Sequence, residues 1–187
     1  MPETTIAFTL NGRPVRYAVA DHRVCRDFLR EDLRLTGTKG ACEDGMCGSC
    51  SVHVDGEVVK SCLVLAVEVD GCEVTTIDGL ADGSELHPVQ QGFIDNFGFQ
   101  CGFCTPGFVM TVAALVRDQS DLEPDEVREA LVGNPLHGLH ANRPVVPGRH
   151  WATASGERGH DGSAGLNPTP ALPRRYVRSR LFDFRRD

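Results

Sequence analysis

Cys42-Glu-Asp-Gly-Met-Cys47-Gly-Ser-Cys50 contains three of the eight cysteines of the chain, and a fourth, Cys62, follows after eleven more residues. The spacing C-x4-C-x2-C with a more distant fourth cysteine is that of the thiolate ligands of plant-type [2Fe–2S] clusters. Glycines lie between these cysteines, where the lack of a side chain lets the loop bend back on itself. The loop is therefore predicted to hold a [2Fe–2S] cluster through Cys42, Cys47, Cys50 and Cys62.

A zinc site and a set of structural cysteines are the alternatives for this loop. Structural zinc sites more often pair two short C-x2-C units. A C-x4-C-x2-C run with internal glycines favours the iron–sulfur interpretation. The chain begins without a basic region followed by an apolar stretch, so no signal peptide is expected. Eight cysteines in such a chain argue for metal binding rather than for disulfides.

Composition limits the number of domains, the presence of membrane spans and the kinds of partner that are expected. A chain of 187 residues that is 41% hydrophobic has room for one or two small domains with their own cores. It contains no run of 18 apolar residues, so no membrane span is expected, and a cytoplasmic location is predicted. The formal net charge of −7 disfavours nucleic acid as a partner.

The first 79 residues show the pattern of a small mixed β domain of ferredoxin type. Two hairpins are predicted, because Asn11-Gly12 and Asp55-Gly56 each lie between segments typical of strands. Between the hairpins, Asp21 is predicted to cap a helix, and Cys25 on that helix is predicted to be a buried thiol. A further strand is expected over residues 74–77, and Cys72 is assigned no role.

Over residues 80–134 the spacing of apolar residues changes to that of α-helices. One helix is expected to be capped by Ser84, with His87 as a solvated or capping residue near its start. A second is expected to begin at Thr105-Pro106 and a third near Pro124. Cys101 and Cys104 form a C-x2-C pair just before the second helix. On local grounds this pair is either a thioredoxin-like redox motif, which lacks its usual βαβ context here, or half of a metal site.

Taken together, these stretches resemble the small iron–sulfur subunit of the molybdenum hydroxylases, the family of xanthine oxidase and carbon monoxide dehydrogenase. The resemblance covers about residues 4–134. It is carried by three blocks of the sequence: Thr36-Gly-Thr-Lys-Gly-Ala-Cys42-Glu-Asp-Gly-Met-Cys47-Gly-Ser-Cys50, then Ser61-Cys62, then Gln100-Cys-Gly-Phe-Cys-Thr-Pro-Gly107.

The resemblance implies an α+β architecture. A plant-ferredoxin-like (β-grasp) domain over residues 1–79 would be followed by a small helical-bundle domain over 80–134 with a second [2Fe–2S] cluster. Cys101 and Cys104 would supply half of the ligands of that second cluster. Gln100 matches a family glutamine that contacts the pterin cofactor of the large subunit.

The resemblance also implies the function and the partners. Electrons would pass from a molybdenum–pterin centre on a large subunit, through this chain, to FAD on a medium subunit. The sequence shows no recognisable nucleophile–base pair, so no catalytic residue is assigned and bond chemistry is expected on the other subunits. A free-standing ferredoxin with one cluster is the rival function, and a zinc module that takes no part in redox chemistry is a more distant one.

The sequence departs from the family pattern after Asn134. The family continues Gly-Asn-Leu-Cys-x-Cys-Thr-Gly-Tyr, whereas this chain reads Gly133-Asn-Pro-Leu-His137-Gly-Leu-His140 and has no cysteine after Cys104. Composition shifts at the same place. Residues 133–187 hold nine arginines, no lysine and only four acidic residues, and residues 135–187 form a Pro/Arg-rich tail.

Three explanations of this departure stay open. The first is a one-base frameshift near codon 135, because a shifted frame through the Pro-Leu-His codons restores two cysteines. The second is a ligand exchange in which His137 and His140 replace the cysteines, as imidazoles do on one iron of Rieske centres. The third is a protein that keeps only the first cluster and carries a disordered or docking tail.

Overall fold

A five-stranded mixed sheet forms the first part of the computed structural model, which describes residues 1–118 and 124–134. The strand order is β2-β1-β5-β3-β4, and only the β1–β5 pair is parallel. The sheet with its neighbouring helices has the architecture of a ferredoxin-like fold. The strands are β1 (Glu3–Leu10), β2 (Arg13–Ala20), β3 (Ser51–Val54), β4 (Glu57–Lys60) and β5 (Glu73–Thr75).

Both predicted hairpins are confirmed. Asn11 and Gly12 have φ of 50° and 75°, and Asp55 and Gly56 have φ of 50° and 86°. Two successive positive φ angles define the type I′ turn, whose twist matches that of the flanking strands. The predicted strand over 74–77 ends earlier, at Thr75, because the backbone N–H of Thr76 donates to the side chain of Asn11 at 2.8 Å instead of continuing the ladder.

One face of the sheet packs against the segment that follows β2. This segment is α1 (Cys25–Asp27), continued by a π-helical turn over Phe28–Asp32. The ring of Phe28 is fully buried, with its centroid 6.0 Å from that of Phe8. Cys25 is 1% exposed, as predicted for a buried thiol. The predicted cap at Asp21 is wrong: Val24 holds the N-cap position, and the carboxylate of Asp21 accepts from the hydroxyl of Thr4 at 2.8 Å.

Within the residues that the structure describes, three α-helices follow the sheet, and they share a separate hydrophobic core. They are α2 (Pro88–Asp95), α3 (Thr105–Asp118) and α4 (Pro124–Ala130). The predicted starts of α3 and α4 are confirmed. The buried residues of this core are Val89, Phe93, Val109, Val112, Ala113 and Val127.

The predicted cap of α2 at Ser84 is wrong. The helix begins at Pro88, and His87 is its N-cap, with ring Nδ1 accepting from the backbone N–H of Val89 at 3.2 Å. Proline disfavours the helical conformation in the residue before it but suits the first turn of a helix. The helix therefore starts at the proline, and the capping role predicted for His87 is confirmed.

The two cores meet where α3 packs against β3. The imidazole of His53, which is 7% exposed, donates from Nε2 to the backbone carbonyl of Met110 at 2.8 Å. Met110 is fully buried. The boundary between residues 79 and 80 stays a prediction, although the separate core of the helices supports it.

The buried His53 predicts that the protein loses stability on acidification. Burial, the largest effect, lowers the pKa of His53; Arg117 and His87 lower it further, and the Met110 carbonyl and Asp118 partly oppose them. The unfolded state therefore binds more protons between the lowered pKa and the ordinary value of about 6.5. We expect the free energy of unfolding to fall as the pH drops through this range, measured by urea unfolding at pH 7.5 and 5.5.

Two histidine variants test this assignment. In His53→Gln the pH dependence should be smaller, because the group that resists protonation is gone. His22→Gln changes a histidine that is exposed and should leave the dependence as it is in the parent chain. An unchanged pH dependence in His53→Gln would contradict the prediction.

Part of the chain carries no structural description. The predicted Pro/Arg-rich tail, residues 135–187, lies outside the described residues, and so do His137 and His140. Within residues 1–118 and 124–134, none of the helices has the length and apolar character needed to cross a membrane.

Candidate metal centre

The β3–β4 hairpin brings two separated cysteines together. Cys50 immediately precedes β3, and Cys62 lies in the single 3₁₀ turn, Ser61–Leu63, that follows β4. Ser51 pairs with Lys60 at the open end of this hairpin, so the residues flanking the pair are neighbours in space. The Cys62 thiol is correspondingly close enough to Cys50 for a side-chain hydrogen bond. The sheet register therefore supplies the fourth member of the predicted ligand set.

The remaining two cysteines of the loop also contact each other. The backbone N–H of Cys47 donates to Sγ of Cys42 at 3.3 Å. The four thiols thus approach as two pairs, Cys42 with Cys47 and Cys50 with Cys62. In the described parts of the chain, no three side chains of His, Cys, Asp or Glu converge as ligands of a single ion would. Two pairs suit a cluster in which four thiolates are shared by two irons.

The thiols differ in how readily they ionise. Burial alone would raise the pKa of Cys47, but hydrogen bonds from the Ser49 backbone and from Cys42 outweigh it, so this pKa lies below its ordinary value. Burial, with the neighbouring Cys50, raises the pKa of Cys62 to about 12. Because thiols bind iron as thiolates, ligation would release a proton from Cys62.

Two buried hydroxyls support the fit of an iron–sulfur cluster. Thr38 and Ser49 are each 1% exposed; the hydroxyl of Thr38 has no hydrogen-bond partner in the described parts of the chain, and that of Ser49 points to the thiol of Cys47. Ser49 lies within the loop, and the backbone carbonyl of Ser49 accepts from the N–H of Lys39, next to Thr38. Buried donors without acceptors are costly, and thiolate or sulfide sulfurs would accept from them. The four thiols and the buried hydroxyls at this loop therefore fit a [2Fe–2S] group.

Arg26 of α1 supports the first part of the loop. Its guanidinium forms ion pairs with Glu43 at 3.2 Å and with Asp27 at 2.6 Å. A Cβ added at Gly40 would lie 3.0 Å from the same guanidinium, so the loop backbone packs directly on it. No spacing rule relates Arg26 to the cysteines of the loop, so this contact could not be predicted from the sequence.

The second cysteine pair lies at the start of α3. Cys101 is exposed and Cys104 is part-buried. Burial raises the pKa of Cys104, and the nearby thiols of Cys101 and Cys47 raise it further, which places the pair within electrostatic reach of the first loop. The sequence contains no cysteine after Cys104, so this site has two of the four thiolates a cluster needs. Gln100, next to the pair, is exposed.

The start of α3 contacts the first loop through two glycines. A Cβ added at Gly107 would clash with the carbonyl oxygen of Gly48 and would lie 2.9 Å from Cα of Ser49. Gly48 has φ of +68°, which glycine adopts most easily. The helix that follows the C-x2-C pair therefore touches the backbone between Cys47 and Cys50.

A hydrogen bond from Lys60 to Asn134 is a second connection between the first cysteine loop and the helical region, and the sequence did not predict it. Lys60 Nζ donates to Oδ1 of Asn134 at 2.5 Å, and Asn134 is 3% exposed. The Asn134 amide donates in turn to the hydroxyl of Thr111 on α3 at 3.1 Å. Burial lowers the pKa of Lys60, and the charges of Cys50, Cys47, Cys62 and Cys42 act in the opposite direction.

Two family models match the chain. Residues 8–79 match the model of a 2Fe-2S iron-sulfur cluster binding domain, and residues 76–136 match that of a [2Fe-2S] binding domain. The second match ends at residue 136, two residues after Asn134, where the sequence departs from the family pattern.

Named relatives and solved structures agree with these matches. The chain is 44% identical over 137 residues to caffeine dehydrogenase subunit gamma of Pseudomonas sp. (strain CBB1), covering 72% of this chain and 82% of the relative. It is 41% identical to the aldehyde oxidoreductase iron-sulfur-binding subunit PaoA of Escherichia coli (strain K12), covering 70% and 57%. The crystal structure of quinoline 2-oxidoreductase from Pseudomonas putida 86 superposes with a TM-score of 0.70 at 40% identity, covering 72% and 83%.

Proposed function

Because this chain belongs to the family of small iron–sulfur subunits of the molybdenum hydroxylases, we propose that it transfers electrons from a large molybdenum–pterin subunit to FAD on a medium subunit. The chain is the electron-transfer part of an oxidoreductase, and no catalytic residue is assigned to it. The rival function, a free-standing ferredoxin, is not favoured, because the relatives are named as subunits of dehydrogenases and oxidoreductases.

One observation carries the assignment of residues. Cys42 approaches Cys47 and Cys50 approaches Cys62, and the backbone between Cys47 and Cys50 touches the helix that follows Cys101 and Cys104. When bound, a [2Fe–2S] group supplies one-electron redox chemistry, with a potential that depends on its surroundings. The residues of this chain hold the first group, exclude water from Cys47 and Cys50, and keep the second cysteine pair close to it.

Exposed apolar side chains support the proposed partners. Met46, within the first loop, and Leu63, next to Cys62, are 66% and 62% exposed, and Phe103, between Cys101 and Cys104, is 44% exposed. Large exposed apolar residues near functional sites often mark protein–protein contacts. We assign the surface at the first loop to the flavin subunit and the surface at Cys101 and Gln100 to the molybdenum subunit, with Gln100 contacting the pterin. The complex would be cytoplasmic, a heterotrimer or its dimer.

The domain division and the second site are part of the same proposal. Residues 1–79 form the ferredoxin-like domain and residues 80–134 form a small helical-bundle domain that carries Cys101 and Cys104. The second donor set is incomplete in this sequence, with two of the four thiolates of a cluster.

Iron analysis of the full chain tests the proposal. Iron and acid-labile sulfide per chain, with low-temperature EPR of the reduced protein, should show at least one [2Fe–2S] signal and about two iron atoms. About four iron atoms and two signals would show that the second site is complete and would make His137 and His140 ligand candidates. A colourless protein that binds zinc alone would contradict the function.

Co-purification tests the partners separately. We expect the tagged chain to bring down a large chain containing molybdenum and a medium chain containing flavin when it is expressed in its native host. A loaded chain that purifies alone under these conditions would favour the free-standing ferredoxin.

A further inference from the structure

Lys60, the last residue of β4, has an ammonium group held in one position. Its Nζ lies 2.9 Å from the carbonyl oxygen of Gly133, 2.5 Å from Oδ1 of Asn134 and 3.4 Å from Oγ of Ser51. Three acceptors match the three N–H donors of an ammonium. All three are neutral oxygens, so they orient the positive charge without cancelling it.

This ammonium lies against the first cysteine loop. A Cβ added at Gly48 would be 2.6 Å from Nζ of Lys60 and would clash with the side-chain amide of Asn134. Gly48 stands between Cys47 and Cys50, two of the proposed ligands. The charge of Lys60 is therefore placed over the part of the loop that would hold the cluster.

The position of this charge affects the reduction potential of the cluster. Reduction adds one negative charge to a group already surrounded by thiolates, and a nearby cation stabilises that added charge. Lys60 and the loop are partly removed from water, so the interaction is screened less than it would be between exposed charges. Surrounding charge and hydrogen bonding are established means of setting the potential of a cluster.

We propose that Lys60, clamped by Gly133 and Asn134, is a positioning residue that raises the reduction potential of the cluster held by Cys42, Cys47, Cys50 and Cys62. Asn134, at the end of the helical region and 74 residues from Lys60 in the sequence, thereby contributes to the reduction potential of the first cluster. This inference rests on the proposed ligand set of that site.

The test is an EPR-monitored redox titration of the purified full chain. In Lys60→Met, we expect the ratio of reduced to oxidised cluster at a fixed ambient potential to fall about tenfold, which is about 59 mV for a one-electron couple. Lys60→Arg keeps the charge and should stay within about twofold of the parent on the same scale. Iron per chain is measured on every sample, so that loss of the cluster is not mistaken for a shift in potential.

A matched control separates a local effect from a change in net charge. Arg16→Met removes one positive charge from an exposed residue of β2, at the opposite edge of the sheet from β4. Four strand spacings separate the two edges, roughly 19 Å, which exceeds the screening length of about 8 Å in physiological salt. Arg16→Met should leave the potential unchanged.

A further variant keeps the test decisive if Lys60→Met fails to fold. Asn134→Ala removes one acceptor and lets the ammonium move away from the loop, so it should lower the potential by less than Lys60→Met does. An unchanged potential in an iron-loaded Lys60→Met, or in Asn134→Ala where Lys60→Met cannot be loaded, overturns the inference. A parent chain without iron would instead contradict the proposed function.

Discussion

Cys47→Ser should remove the first cluster, with a loss of about two iron atoms per chain and of one EPR signal. Cys47 is 6% exposed, and hydrogen bonds lower the pKa of its thiol despite burial, so it is poised to act as a thiolate. A serine hydroxyl in the same place does not ionise near neutral pH and is a poor iron ligand. Iron and acid-labile sulfide analysis of the full chain measures the loss.

Cys72→Ser is the matched control for this variant. Burial, with the nearby Asp55, raises the pKa of Cys72 to about 11, so its thiol stays protonated, and it packs beside the sheet core rather than in the loop. Its iron content should equal that of the parent chain. Full iron in Cys47→Ser, or lost iron in Cys72→Ser, would show that the ligands are misassigned.

Gly107→Ala should destabilise the contact between α3 and the first loop. The added Cβ would meet the backbone of Gly48 and Ser49, which cannot swing aside as a flexible side chain would. Overpacking of a close contact costs about 1–3 kcal/mol, and a backbone neighbour argues for the upper part of that range. Urea unfolding of the full chain measures the loss, and iron loading of the first site should fall with it.

The sign of the change in the free energy of unfolding makes this prediction decisive. At an unobstructed helical position, replacement of glycine by alanine stabilises a protein by about 0.5–1 kcal/mol. Gly92→Ala makes the same change at a part-exposed position within α2 and should leave stability unchanged or raised. A gain of stability in Gly107→Ala would contradict the close approach of α3 to the loop.

Local chemistry explains which elements could be predicted. The Asn11-Gly12 and Asp55-Gly56 turns were predictable because few dipeptides tolerate two positive φ angles in succession. The start of α3 was predictable because proline suits the first turn of a helix. The predicted caps at Asp21 and Ser84 are wrong, because a residue type that favours capping does not show at which residue the packed helix begins.

The remainder of the site depends on residues that are far apart in the chain. Lys60 and Asn134 are 74 residues apart, and Gly107 meets Gly48 across the contact between two cores. Arg26 reaches the loop from α1 through Glu43. No spacing rule relates these positions, because their contacts follow from how the helices pack on the sheet.

The amino-acid order alone determined the chemistry of this protein: C-x4-C-x2-C places three thiols on one short loop, and the bend between them requires glycine. It also determined that two thiols of a second site are missing, because no cysteine follows Cys104. Only the tertiary structure decided which charge and which helix lie against the loop. Three of the predicted ligands are neighbours on one loop, whereas the position of Cys62 and the electrostatic surroundings of the site are set by long-range packing.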